Sequence, residues 1–106
     1  MTMHNNAIND IRDAASNESE QYATTISVLK GLACDNAISW DEVERIKVAL
    51  QPACAKADAI YRAADHALRY SASIGRPQTP FMRGVDPVTD EEWVLLEQAW
   101  NNYFNI

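Results

Sequence analysis

Residues 39–74, SWDEVERIKVALQPACAKADAIYRAADHALRYSASI, decide the fold. Ser39 followed three residues later by Glu42 forms a capping box: the hydroxyl accepts from an orphaned first-turn N–H, and the carboxylate reaches back to the N–H of the cap. Ile38 and Val43, on either side of the cap, are placed as a hydrophobic staple that fixes the angle at which the chain joins the helix. From Val43 the apolar positions continue through Ile46, Leu50, Ala53, Ala57, Ile60, Ala64, Ala67 and Ile74 at helical spacing, and the phase does not slip at Pro52. A proline in a helix interior removes one backbone hydrogen bond and clashes with the carbonyl four residues earlier, at about 3 kcal/mol. The unbroken phase favours one long helix kinked near residues 48–52. The alternative is two helices, 39–51 and 52–74, with Pro52 at the favoured first position of the second.

Upstream, Ile8, Ala15, Tyr22 and Leu29 recur every seven residues with Ile11, Ile26 and Leu32 beside them, which predicts a helix over 6–33. Its weak point is Ser16–Glu20, where Asn17 with Glu20 could cap a fresh helix. Gly31 loosens the last turn before a short connection at 34–37. Downstream, Gly75 is placed to end the long helix, with Pro77 beyond it. Thr89 with Glu92 is a second capping box, flanked by the staple pair Val88 and Trp93, and it opens a helix over 89–104. Asp90, Glu91 and Glu92 occupy its first turn, where the macrodipole favours anions. Together these elements predict an all-α fold, a compact bundle of three to four helices forming one domain over 1–106.

Composition agrees. Three glycines and four prolines in 106 residues are too few for the turns of a β-sandwich. Hydrophobic residues at 47% and charged residues at 23% are ordinary for a globular chain. No apolar run approaches the roughly 18 residues of a membrane span, and the first residues have no basic and apolar leader pattern, so a cytoplasmic protein without a membrane partner is expected. The net charge of −6 argues against a general nucleic-acid binder. Its distribution is uneven: residues 1–51 carry eight acids and four bases, 52–85 two acids and five bases, and 86–106 five acids and no base. Mutual neutralisation within a bundle or between subunits accounts for that pattern; a patch for an anionic partner is the alternative.

Motifs that carry chemistry are missing. There is no nucleophile elbow, phosphate-binding loop, dinucleotide-binding glycine pattern or zinc-binding H-E-x-x-H, so neither catalysis nor a cofactor or metal is expected. Asp41, Glu42 and Glu44 lie in a helix first turn, where acids belong on dipole grounds. Asp58, Arg62, Asp65 and Arg69 alternate in sign as a solvated ladder worth a few tenths of a kcal/mol per pair, and His66 falls beside it on the same polar face. In a hairpin turning at 35–38, Cys34 and Cys54 would lie roughly 22 Å apart at about 1.5 Å per residue, too far for a disulfide. Both read as buried small apolar residues.

Two features remain as binding candidates. The segment 76–85 combines Arg76 and Arg83 with Phe81 and Met82, free of acids and ordered by prolines. The last helix carries Trp93 and Trp100 among more aromatic and aliphatic surface than one face needs. The sequence therefore predicts a non-catalytic interaction module, a small acidic adaptor or inhibitor of a kind common in phages and mobile elements. It would bind a protein partner through Arg76, Phe81, Met82, Arg83, Trp93 and Trp100, and would self-associate as a homo-oligomer. The alternative is a nucleic-acid-associated regulator using Arg62, Arg69, Arg76 and Arg83, which recur every seven residues.

Overall fold

The computed structural model describes residues 3–74 and 85–104, which form three helices: α1 (Asn5–Cys34), α2 (Trp40–Ser73) and α3 (Asp90–Phe104). No strand occurs among the described residues. Gly75, placed by the sequence at the end of α2, lies outside them. α2 is a single helix of 34 residues with Pro52 inside it, so the division into 39–51 and 52–74 is not adopted. Pro52 and Val48 are both exposed, and the carbonyl of Val48, deprived of its helical donor, lies on a side of α2 that water can reach. α1 likewise runs for 30 residues without a break at Ser16–Glu20. That polar stretch is held in the helix by a use of its own: Glu18 accepts the hydroxyls of Tyr22, one turn on, and of Tyr103 on α3.

The turn between α1 and α2 is closed by backbone geometry. Asn36 adopts a positive φ of 61°, and the N–H groups of Ala37 and Asn36 donate to the carbonyls of Leu32 (2.9 Å) and Ala33 (3.1 Å). This is a Schellman ending with asparagine in the left-handed position usually taken by glycine. Gly31 sits a turn earlier, inside the helix. At the start of α2 the Glu42 N–H donates to the Ser39 hydroxyl (3.2 Å), so Ser39 caps the helix, but the return bond from the Ser39 N–H to the Glu42 carboxylate expected of a full capping box is not made.

α1 and α2 pack as an antiparallel hairpin, tied at its open end by a hydrogen bond from Asn5 Nδ2 to Ser71 Oγ (3.1 Å). At a rise of 1.5 Å per residue the hairpin helices are about 45 and 51 Å long, while α3 is only about 22 Å. α3 starts beside His66 of α2 and ends where Tyr103 meets Glu18 of α1. Its reach therefore stops near the middle of the hairpin. The core follows this limit: Ile8, Ile11 and Ala15 of α1, Ile60, Ala63, Ala64 and Ala67 of α2, and Leu96 and Ala99 of α3 form one buried cluster. Between residues 16 and 56, only Ala33 and Val43 are buried.

The hairpin thus has a three-helix base and a two-helix arm. Leu32 and Ile46, members of the expected apolar stripes, are exposed in the arm because two helices meeting alone bury only a narrow seam. Ile74, at the other end of the stripe, is exposed as well. The molecule measures 59 × 38 × 20 Å with a radius of gyration of 18.1 Å, well above the roughly 13 Å of a spherical chain of this size. Compactness, as expected from the sequence, holds for the base alone. Among the described residues no helix is long and apolar enough to cross a membrane.

A Cβ added at Gly31 would meet no atom within 4 Å. Gly31→Ala should therefore raise the stability by about 0.5–1 kcal/mol, through helix propensity and a less disordered unfolded chain. Asn36→Ala should lower it by about 1 kcal/mol, because alanine tolerates the left-handed conformation poorly. Urea denaturation followed by circular dichroism measures both.

Candidate functional site

The densest polar arrangement lies where α3 begins. Thr89 caps α3 and completes the capping box in both directions: the Glu92 N–H donates to the Thr89 hydroxyl (3.2 Å), and the Thr89 N–H donates to Glu92 Oε1 (3.1 Å). The Thr89 hydroxyl also donates to that oxygen (3.2 Å). The second carboxylate oxygen, Oε2, lies 2.7 Å from His66 Nδ1 on α2, and His66 Nε2 lies 2.8 Å from the carbonyl oxygen of Asp86. One imidazole thus joins α2 to α3 and to the segment that leads into it.

The protonation of this group follows from its neighbours. The Asp86 carbonyl can only accept a hydrogen bond, and so can an ionised carboxylate. The imidazole satisfies both by donating from both nitrogens, as an imidazolium. The hydrogen bond to Glu92 raises His66 above its ordinary value of 6.5, and the bond to Asp86 adds to this, against the opposing effects of burial and of Arg69. Burial would raise Glu92, but hydrogen bonds from His66 and Thr89 outweigh it and hold the carboxyl below its ordinary value of 4.5. His66 is therefore not the solvated surface residue its place beside the charge ladder suggested. It is half-buried because α3 packs along that edge of α2.

Around it, Arg62, Asp65, His66, Arg69, Glu91 and Glu92 line part of an open groove of about 590 Å³. The arginines are engaged: Arg62 with Asp58 (2.8 Å) and Arg69 with Asp65 (3.1 Å), as the alternating ladder implied. Asp65 also lies 3.7 Å from Arg12 of α1, so the ladder bridges to a second helix. Each of these three arginines already has a carboxylate partner, and both nitrogens of His66 are used.

A second polar cluster closes the far end of α3. Tyr103 donates to Glu18 Oε2 and Tyr22 to Glu18 Oε1 (2.9 Å), beside a cavity of about 110 Å³ that Lys56 and Asn102 also line. Burial first, and then the bond to Glu18, raise the Tyr103 phenol above its ordinary value of 10. The bond to Glu18 raises Tyr22 in the same direction. Two phenols thus share one carboxylate at the level where the bundle changes from three helices to two.

Of the residues the sequence nominated for binding, Trp93 and Trp100 are half-buried against the core cluster. Phe104 packs on Trp100 with ring centroids 4.7 Å apart. α3 presents Val94 and Phe104 to solvent instead. Arg76, Phe81, Met82 and Arg83 lie outside the described residues. Both cysteines are free; Cys34 is exposed at the end of α1, contrary to the buried position expected of it, and Cys54 is half-buried. What sequence reasoning missed was the pairing of His66 with Glu92. The signal was a second helical row on α2, Ala59, Ala63, His66 and Tyr70 in steps of four, three and four, beside the stripe that faces α1.

Compared with family profiles, with curated proteins and with solved structures, the chain matches none.

Tyr103→Phe removes a hydrogen bond to a carboxylate in a partly buried contact, and should lower stability by about 1.5 kcal/mol. Tyr22→Phe, on a more open edge of the same carboxylate, should have the smaller effect. Thermal unfolding of the two variants side by side checks the ranking.

Proposed function

We propose that the chain is a non-catalytic module that acts by stoichiometric binding to a protein partner, and that the two-helix arm is its binding surface. The observation that carries this reading is the apolar surface left open beyond the reach of α3. Val28 (57% exposed), Leu32, Trp40 (55%), Ile46 and Val48 (59%) are all exposed within residues 28–48, on both sides of the turn. Val28 and Leu32, one turn apart, share a face of α1. Apolar exposure on both helices of a small protein offers surface for another molecule to cover, and an exposed tryptophan is a frequent anchor of interfaces.

A protein partner is favoured over nucleic acid. The net charge is −6, and Arg62 and Arg69, the described half of the basic series proposed for nucleic acid, both have carboxylate partners. A phosphate backbone would have to compete with those pairs. An inhibitor or adaptor function fits a three-helix base that displays an apolar arm. Homo-oligomerisation is part of the proposal, with the arm as the contact, since the same exposed residues on two copies are self-complementary in a two-fold arrangement.

Affinity capture from the native host, read by quantitative mass spectrometry, tests the partner and its surface together. One macromolecular partner in near-equal amount is expected, with recovery reduced at least tenfold in Leu32→Glu/Ile46→Glu and retained in Phe81→Ala and Arg83→Glu. Loss only in the latter two would move the surface to the 76–85 segment, and equal recovery in all would remove both surfaces. Sedimentation equilibrium tests self-association: a mass above 11.9 kDa at high concentration is expected, reduced to monomer by Leu32→Glu/Ile46→Glu. A monomer at every concentration would dispose of the oligomer.

A further inference from the structure

We propose that His66 is a charge-operated latch: as an imidazolium it fastens the start of α3 and the preceding residues 86–89 to α2, and on losing its proton it lets them go. This reading concerns a device within the fold, and does not depend on whether the arm binds a partner.

His66 faces two acceptors, the Asp86 carbonyl at 2.8 Å and the Glu92 carboxylate at 2.7 Å. A neutral imidazole has one N–H and one bare lone pair, so it can satisfy only one of them and must turn a lone pair toward the other. The two distances can be held together only by the charged ring or by a protonated Glu92. Near neutral pH Glu92 is ionised, since its hydrogen bonds with His66 and Thr89 hold the carboxyl below its ordinary value of 4.5. Losing the His66 proton therefore removes one of two hydrogen bonds and the charge that strengthened the other.

The neighbouring charges do not supply a substitute. On α2, Arg62 is engaged by Asp58, and Arg69 by Asp65, which also lies near Arg12 of α1. On α3, Glu91 and Glu92 both line the groove, and Asp86 belongs to the preceding segment. Of the charges around the ring, Glu92 favours the proton on His66 and Arg69 opposes it. The hydrogen bond to Glu92 raises His66 above 6.5, while Glu92 is held below 4.5. A group raised on folding stabilises the folded form fully below its unfolded value, and that contribution is lost as pH rises through the folded value. A group lowered on folding stabilises it above its unfolded value, and that contribution is lost as pH falls through the folded value. The latch is thus closed between roughly pH 4.5 and 6.5, stays closed for some distance above 6.5, and opens on either side.

Opening is local. Leu96 and Ala99 remain in the core cluster and Tyr103 remains on Glu18, so the second half of α3 stays attached when the first turn is released. What separates is the capped end, with Val88 and Trp93, which pack on the edge of the core.

The test is an NMR titration of the intact protein from pH 5 to 9, reading the His66 ring carbons together with amide exchange at residues 86–93, corrected for intrinsic base catalysis. His66 is expected to titrate above 6.5. Corrected protection at residues 88–93 should fall at least fivefold across that transition, with residues 96–103 unchanged. In Glu92→Gln the His66 transition should move down toward 6.5, and in His66→Gln the protection should lose its dependence on pH. A His66 transition at or below 6.5, or protection at 88–93 that stays flat while the ring titrates, would overturn the proposal. The wild-type titration alone decides this even if a variant fails to fold.

Discussion

A helix of fifteen residues laid on a hairpin whose arms are twice its length can bury only about half of the groove between them, and the rest of this molecule is arranged around that shortfall. α3 shares its covered half with Ile8, Ile11 and Ala15 from one side and with Ile60, Ala63, Ala64 and Ala67 from the other. Among the described residues no third helix removes apolar surface from water beyond Tyr103, so side chains with the same helical phase as the core stay wet. The polar contacts at the two ends of α3 mark this boundary. His66 fixes where the helix starts and Glu18 where it stops, and neither contact needs a long side chain to stretch.

The alanines of α2 determine how much stability that half can supply. Four of its buried residues are alanines, which bring the helices close and bury little area each. Ile8, Ile11 and Leu96 are the largest side chains that are fully buried. At about 25 cal/mol per Å² of apolar surface, a seam of this kind gains more from close contact than from volume. Directional contacts therefore matter more than they would in a fatter core. The pairing of both α3 termini through charged or phenolic groups is consistent with that need.

Much of this was legible in the sequence, and the parts that were not share a cause. The Ser39 cap and the Thr89–Glu92 capping box were readable because a cap is a contact between residues three apart, and the continuity of α2 through Pro52 was readable because the apolar phase is a local regularity. The Asp58–Arg62 and Asp65–Arg69 pairs were readable for the same reason. His66 with Glu92, 26 residues apart, and Glu18 with Tyr103, 85 apart, depend on where α3 lies, and periodicity carries no information on that. The exposure of Leu32 and Ile46 was hidden too, since a stripe records which face is apolar and not whether anything covers it. Asn36 shows the opposite case: its left-handed turn is a local property of an asparagine, a residue that takes this conformation more readily than other non-glycine residues, and it ends α1 where no glycine stands.

The order in which the chain is made adds a consequence to the placement of α3. α1 and α2 leave the ribosome first and can fold back at Asn36 through contacts that are short in sequence, but the groove at their base lacks Leu96 and Ala99 until α3 follows. During that interval Ile8, Ile11 and the alanine seam lie open along one side, the condition under which nascent chains attract chaperones or one another. During synthesis α3 can complete the base only after the hairpin it covers has emerged.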